Sequence, residues 1–203
     1  MTRCDHEAGT GIKKSEKDQE LQDILASLLT DVQVLSLADI GIDEDIEENG
    51  STFEENALIK ARAAAAAGYI GVGDDSGLCV QALNGAPGIY SARYAGEHGD
   101  DEANTALLLK NMEGVTNRRA AFRCVIACVF PDGSEPIVVS GSVEGLITEH
   151  KQGNGGFGYD PVFYYPPFGC TLAEVEPERK NAISHRGEAL RRLAAMLAEC
   201  QEK

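Results

Sequence analysis

The chain has 203 residues, of which 43% are hydrophobic and 25% charged, a composition typical of one soluble globular unit. Acidic residues outnumber basic ones 33 to 18, and the formal net charge of −15 argues against a nucleic-acid backbone as the main partner. No apolar run reaches the roughly 20 residues of a membrane span, and six cysteines without a C-x-x-C pair indicate a reduced, cytoplasmic protein.

The first third of the chain is predicted to form two helices with a short strand between them. Helical spacing of leucine and isoleucine predicts a helix from Asp18 to Leu29, and a strand is predicted over Val32 to Leu37. Two overlapping capping boxes, Ser51 to Glu54 and Thr52 to Glu55, mark the start of the next helix. This alanine-rich helix is expected to end at Gly68.

The middle of the chain is predicted to contain another short strand and another helix. The strand covers Tyr69 to Gly73 and is followed by Asp74 to Gly77, whose Asp, Ser and Gly residues are typical of a turn. Asp100 or Asp101 is expected to cap the helix, which ends at Gly114.

The last part of the chain is predicted to supply most of the sheet. Ala120 to Phe130 and Ile137 to Ile147 are apolar segments joined by a turn sequence, so we predict a β-hairpin. A glycine-rich loop follows at Gly153 to Pro161, and a closing helix runs from Ser184 to about Ala198. Since no repeat or linker is evident, we predict one α/β domain over residues 21–203, after an atypical segment at residues 1–20.

Two acidic segments are candidates for metal or base chemistry. Adjacent carboxylates on a strand point to opposite faces, so only one of Asp74 and Asp75 is expected to face a given cleft, as a general base or metal ligand. The alternative is an ordinary turn. In the run Asp43 to Glu48 most residues are expected to be solvated, but Glu47 and Glu48 precede a helix and are well placed to share a metal with an aspartate.

Two further segments are candidates for ligand contact. Glycines in Gly153 to Asp160 allow close approach of a ligand, and a neighbouring aromatic ring could stack on it; a purely structural glycine turn is the alternative. Ser184 to Gly187 places His and Arg donors at a helix start, unless this is only a surface cap. Cys124 and Cys128 share one strand face and are predicted to be core residues.

Five segments stand in a characteristic order and spacing: Glu47–Ala57, Asp74–Leu78, Gly85–Tyr94, Gly155–Pro161 and Lys180–Gly187. From about Leu21 to the C-terminus, the sequence resembles the inosine triphosphate pyrophosphatases, which hydrolyse non-standard purine nucleoside triphosphates. The resemblance implies a long curved mixed β-sheet flanked by helices, two lobes with a central substrate cleft, and a homodimer. It also implies Mg²⁺-dependent cleavage of inosine, deoxyinosine and xanthosine triphosphates to the monophosphate and pyrophosphate, which cleanses the nucleotide pool.

Carried over position by position, the resemblance implies that Asp75 is the general base and, with Glu48, a metal ligand. It implies that Lys60 contacts phosphate and that Ser76 contacts the substrate beside the base. The other implied substrate contacts are Phe157, Gly158, Tyr159, Asp160, Lys180, His185 and Arg186. Donors from the Ser-His-Arg segment would favour the 6-keto group of inosine and xanthosine over the 6-amino group of adenine.

The opening segment departs from the family pattern. The family begins with an apolar strand leading into a Thr/Ser-x-Asn-x-x-Lys loop around the triphosphate, whereas MTRCDHEAGTGIKKSEKDQEL contains neither. We therefore assign no site residue to this segment. The departure leaves a second hypothesis open, namely a folded but weakly active or inactive nucleotide-binding homologue. A related pyrophosphatase acting on modified pyrimidines is disfavoured by the Phe-Gly-Tyr-Asp loop and the His-Arg pair.

Overall fold

The structure is a computed structural model that describes residues 33–42 and 46–201. Four α-helices lie in these residues: α1 (Phe53–Ala66), α2 (Asp101–Asn111), α3 (Pro177–Ile183) and α4 (His185–Gln201). Five strands form one sheet: β1 (Gly71–Val80), β2 (Arg119–Val129), β3 (Ile137–Ile147), β4 (Phe163–Tyr165) and β5 (Cys170–Thr171). The strands are arranged in chain order and each described pair is antiparallel.

The long central hairpin and the helix ends follow the sequence expectations closely. Strands β2 and β3 pair antiparallel along almost their whole length, which confirms the predicted hairpin. Thr52 caps α1 by accepting a hydrogen bond from the Glu55 backbone N–H at 3.1 Å, while the Glu55 carboxylate accepts from the Ser51 N–H. Asp100 caps α2 in the same way, accepting from the Ala103 N–H at 2.9 Å. Local capping chemistry therefore fixes where both helices begin.

Two strand predictions and one helix differ from the structure. The predicted turn at Asp74 to Gly77 is wrong, because β1 continues to Val80 and pairs with β2 from Gly71 to its end. A long partner strand holds these turn-forming residues in extended conformation. The predicted strand at Val32 to Leu37 is wrong for residues 33–37, which precede a 3₁₀ turn at Ala38–Ile40. The short helix α3 was not predicted, and the predicted helix Asp18 to Leu29 lies outside the described residues.

Helices α1 and α4 cover opposite faces of the sheet. Helix α1 packs on the face that contains Gly73 and its cross-strand neighbour Ala127. Helix α4 packs on the other face, which contains Cys124 and its neighbour Gly141. Cys124 and Cys128 are fully buried, which confirms their assignment to the core. The central strand β2 is thus covered on both sides, so its apolar sequence lacks the alternation of a half-exposed strand.

Close approach of α1 to β1 depends on residues without bulky side chains. A Cβ atom at Gly73 would lie 2.0 Å from the Ala57 carbonyl oxygen, and one at Gly71 would lie 1.9 Å from the Ala61 carbonyl oxygen. Ala57 and Ala61 are themselves fully buried. The alanine-rich helix therefore lies almost directly on the strand backbone, and its side chains are placed within reach of β1.

We predict that Gly73→Ala lowers the free energy of unfolding by about 3 kcal/mol, because the backbone of α1 cannot move away from the added methyl group without loss of packing. Gly114→Ala is the control, since a Cβ there meets open space and only the positive φ of 70° is unfavourable; we expect it to cost about 1 kcal/mol. Urea denaturation measures both values. An equal loss of unfolding free energy in the two variants would show that α1 does not pack closely enough on β1 to exclude a methyl group at position 73.

Candidate active site

Asp74 and Asp75 are adjacent on β1 and lie on opposite faces of the sheet, as their alternation predicts. Asp75 faces α1, where its Oδ1 lies 3.2 Å from the Lys60 Nζ and its Oδ2 accepts a hydrogen bond from the Asn56 Nδ2 at 3.1 Å. Asn56 and Lys60 are one helical turn apart on α1. The helix therefore delivers both partners of this carboxylate from a single face.

Glu48 completes a group that we call the carboxylate cluster, consisting of Glu48, Asn56, Lys60 and Asp75. The Lys60 Nζ lies 3.0 Å from the Glu48 Oε1, so one ammonium group bridges the two carboxylates. The structure thus brings together Glu48, Lys60 and Asp75, the residues for which the resemblance implies metal binding and phosphate contact. Asn56 was missed by sequence reasoning; the available signal was an asparagine four residues before Lys60 in the first turn of the helix.

Asn56 also connects the cluster to the loop that carries Glu48. Its Oδ1 accepts a hydrogen bond from the Gly50 backbone N–H at 2.9 Å, and its Nδ2 donates to Asp75. Both ends of the fully buried amide are used, which fixes the orientation of the side chain. The loop before α1 and the middle of β1 are therefore held in a defined relation.

Burial dominates the electrostatics of Asp75, which is only 6% exposed. Desolvation raises the pKa of Asp75 above its ordinary value, the Lys60 ammonium and the Asn56 hydrogen bond lower this pKa, and the nearby Glu48 raises it. The net result is a raised pKa. A carboxylate whose charged form is poorly solvated is a stronger base than a surface aspartate, and such perturbation is typical of catalytic groups.

The carboxylate cluster has the donor chemistry of a magnesium site that is completed by substrate. Among residues 33–42 and 46–201, no group of three or more His, Cys, Asp or Glu side chains is arranged to hold a metal ion alone. Mg²⁺, however, is usually bound by one or two carboxylates together with substrate phosphates and water. Glu48 and Asp75 supply such a pair, so the residues present fit this ion.

The opposite face of β1 carries a buried ionic network. The Arg186 Nε donates to the Asp74 Oδ2 at 2.9 Å, and the Arg186 Nη2 donates to the Ser76 Oγ at 3.0 Å. The Cys124 thiol also donates to the Asp74 Oδ2, at 3.0 Å. Arg186 is only 1% exposed. Two predicted substrate contacts, Ser76 and Arg186, are thus brought together, and they connect the start of α4 to the strand that carries Asp75.

The predicted aromatic loop forms a second polar group with α3. The Asp160 Oδ2 accepts hydrogen bonds from the Phe157 backbone N–H at 2.9 Å and from the Lys180 Nζ at 2.6 Å. The Lys180 Nζ lies 4.1 Å from the centroid of the Phe157 ring, a cation–π contact. Lys180 is buried, whereas Phe157 is half-buried. We call Phe157, Asp160 and Lys180 the loop cluster.

The two aromatic residues of this loop have different environments. Tyr159 is 5% exposed and belongs to the core beneath the loop, and its hydroxyl donates to the Ser91 carbonyl oxygen at 2.9 Å. Burial raises the pKa of Tyr159 well above its ordinary value. The Ser91 Oγ in turn accepts from the Leu78 N–H of β1 at 2.9 Å. Tyr159 therefore ties the loop to β1, whereas the Phe157 ring stays half-buried.

His185 begins α4 and is half-buried. Its imidazole stacks on Phe122 of β2, with ring centroids 5.1 Å apart and an interplanar angle of 12°. The stacking fixes the plane of the imidazole. Predicted site residues lie on three described helices, namely Lys60 in α1, Lys180 in α3, and His185 and Arg186 in α4.

Comparison with known proteins identifies the family of this chain. A model described as the Ham1 family matches residues 13–196. The chain belongs to the Ham1 family. A dITP/XTP pyrophosphatase of Bacillus licheniformis is 54% identical over 167 residues, covering 81% of this chain and 85% of that protein. The Staphylococcus aureus Ham1 structure has a TM-score of 0.84 at 47% identity, covering 93% of this chain and 97% of that one. A HAM1 structure from Coxiella burnetii has a TM-score of 0.83 at 42% identity, covering 91% and 96%.

Membership in the Ham1 family confirms the resemblance and the α/β fold class inferred from the sequence motifs. In this Ham1 protein most of the predicted site residues fall into three groups, namely the carboxylate cluster, the network of Arg186 and the loop cluster. Gly158, Tyr159 and His185 lie outside these groups and have the separate contacts of the loop backbone, the core and Phe122. Their individual roles in binding and chemistry stay predictions. None of the helices within the described residues is long and apolar enough to cross a membrane.

We predict that Lys60→Met raises the pKa of Asp75 further, because the substitution removes the ammonium that favours the charged carboxylate while burial and Glu48 still oppose it. Titration of the Asp75 carboxyl carbon by NMR measures this change. Lys110→Met, which removes an exposed lysine from α2, is the control and should leave the pKa of Asp75 unchanged. An unchanged pKa in Lys60→Met would show that the contact between Lys60 and Asp75 does not persist in solution.

Proposed function

We propose that this Ham1 protein hydrolyses non-standard purine nucleoside triphosphates, namely ITP, dITP and XTP, to the monophosphate and pyrophosphate, and so cleanses the nucleotide pool. The observation that carries the proposal is the carboxylate cluster, in which a buried aspartate of raised pKa lies beside a lysine and a second carboxylate. The dITP/XTP pyrophosphatase name of close relatives supports the substrate class. The homodimer implied by the resemblance and the cytoplasmic location indicated by the cysteines stay predictions.

Asp75 is the general base of the proposed reaction. Its carboxylate accepts a proton from a water molecule, whose oxygen attacks the α-phosphorus while the bond from that phosphorus to the α–β bridging oxygen breaks. The products are the monophosphate and pyrophosphate, which leaves with the bridging oxygen. The raised pKa improves Asp75 as a proton acceptor, and Asn56 fixes the direction of the carboxylate.

Glu48 and Asp75 are the residues that would hold Mg²⁺. When bound, the ion would neutralise phosphate charge and polarise the phosphoryl group. A protein with a formal net charge of −15 needs such local positive charge to accept a triphosphate. Lys60 provides a second source of positive charge, because its ammonium lies between the two carboxylates and can bind a phosphate oxygen instead.

The loop cluster supplies a base site with a directional donor. The half-buried Phe157 ring offers a surface for stacking a purine. The Lys180 ammonium has three N–H donors, and one of them is used by Asp160. The remaining donors suit the 6-keto oxygen of inosine or xanthosine, whereas the 6-amino group of adenine would leave donor facing donor. His185 and Arg186 stay predicted contributors to the same discrimination.

A second candidate is a folded, nucleotide-binding homologue with weak or no activity. The observation that favours it is the atypical segment at residues 1–20, which lacks the family's apolar strand and Asn-containing loop. This segment lies outside the described residues. The two candidates differ in turnover, and the following experiment separates them.

We expect purified protein to release pyrophosphate from dITP with Mg²⁺ but not with EDTA, and to act poorly on ATP and GTP. Asp75→Asn should lower kcat by about 10²- to 10⁴-fold, because it removes the proton acceptor. Asp132→Asn, in an exposed turn, is the matched control and should keep full activity. A folded protein that binds dITP without turnover would support the inactive homologue, and full activity of Asp75→Asn would remove Asp75 from the mechanism.

We further predict that Lys180→Met narrows the preference for dITP over dATP, measured as the ratio of their kcat/KM values. Loss of a directed donor from a buried side chain should reduce this ratio by about tenfold or more. Lys110→Met again controls for the loss of a positive charge. A preserved ratio in Lys180→Met would place the discrimination outside the loop cluster.

A further inference from the structure

The first two turns of α2 contact the backbone of the loop that carries Phe157 and Asp160, at the single residue Gly158. The Gly158 N–H donates to the Asp101 Oδ2 at 2.7 Å, and the Thr105 Oγ1 donates to the Gly158 carbonyl oxygen at 3.4 Å. Asp101 and Thr105 are four residues apart, so they lie on one face of the helix. This face of the helix therefore forms hydrogen bonds with both the N–H and the carbonyl oxygen of Gly158, the residue that follows Phe157.

The loop needs such external contacts because its backbone is irregular. Gly156 and Gly158 have φ values of 70° and 59°, in the left-handed region. A Cβ atom at Gly158 would meet open space, so its glycine is required by conformation and not by crowding. Glycines gain more conformational freedom on disordering than other residues. The hydrogen bonds at Gly158 restrict that freedom where the loop turns.

Helix α2 is a rigid support for these contacts. The side chain of Asn104 is buried; it accepts from the Ala95 N–H at 2.7 Å and donates to the Ala92 carbonyl oxygen at 3.2 Å. Leu108 and Met112 are fully buried in the core that also contains Tyr159. Thr105 is buried as well, at 1% exposure. The helix therefore belongs to the folded core, and the loop is the part that it steadies.

Two independent anchors thus hold the loop from different sides. Asp160 and Lys180 fix the Phe157 end through α3, and α2 fixes Gly158 through Asp101 and Thr105. Only the first anchor contains a side chain, Lys180, that would itself contact the purine base. The second contributes solely to where the Phe157 ring is held.

We propose that Asp101 and Thr105 are positioning residues that set the affinity for the purine base by holding the 157–160 loop in its binding conformation. This inference rests on the proposed function, since it takes the Phe157 ring as the surface that meets the base. Neither residue takes part in proton transfer or phosphate binding. When the anchor is lost, the competent fraction of the free protein falls, so KM for dITP rises while kcat is preserved.

The test compares Asp101→Ala, Asp101→Asn and Thr105→Val with wild type. An asparagine oxygen can still accept from the Gly158 N–H, so Asp101→Asn is the conservative rescue. Glu102→Ala removes a neighbouring acid whose partner is Lys151 on the exposed surface, and it controls for charge at the helix start. Hydrogen exchange of the peptide spanning residues 155–160 reports loop order, and steady-state kinetics with dITP reports KM and kcat.

We expect Asp101→Ala to accelerate exchange of this peptide and to raise KM for dITP by about tenfold, with kcat within about twofold of wild type. Thr105→Val should act in the same direction, and Asp101→Asn and Glu102→Ala should resemble wild type. Unchanged exchange in Asp101→Ala, or a loss of kcat at constant KM, would overturn the proposal.

Failure of the proposed function has a different signature. If wild-type protein releases no pyrophosphate from dITP, the proposed function fails, whereas the exchange comparison still tests the anchor without any turnover. Faster exchange of the loop combined with unchanged KM in an active enzyme would show that the anchor is real but irrelevant to base binding, and would overturn the inference alone.

Discussion

The structure depends on the close packing of α1 against β1, because this contact allows a charged aspartate to be buried. Asp75 is largely withdrawn from water, and its charge is supported by Lys60 and Asn56 from the facing helix. Glycines on the strand let the helix approach closely enough for these short-range contacts. Stability and basicity are therefore in tension at one position, since the burial that raises the pKa of Asp75 also opposes its charged form.

The remaining groups are arranged around the same strand. On its opposite face Asp74 holds Arg186, so α4 is attached to β1 by a buried ion pair. Beyond its middle, Leu78 is connected through Ser91 to Tyr159 and the aromatic loop. A single strand thus connects the carboxylate cluster, the network of Arg186 and, through Ser91, the loop that carries Tyr159.

Much of the architecture was accessible from local sequence signals. Capping residues and apolar periodicity predicted α1, α2, α4 and the central hairpin, because these signals act within a few residues. The continuation of β1 through Asp74 was not predictable in this way, since pairing with β2 overrides turn propensity. The contacts of Asn56 with Asp75 and of Asp101 with Gly158 were also missed, because they join residues that are distant in the sequence. The two pairs are 19 and 57 residues apart in the chain.

The glycines of β1 also bear on how the strand finds its alignment with β2. A slip of one residue would exchange the two faces of the strand, yet the pair Asp74 and Asp75 would still place an acid on each face. Acidic residues alone thus cannot distinguish the correct alignment from one that is shifted by one residue. The alternation of Gly71 and Gly73 with larger residues does distinguish them, because the shift would bring Val72 or Asp74 to the face of the strand that lies against the backbone of α1. The register that decides which aspartate faces Lys60 and Asn56 is therefore specified by residues that have no side chain.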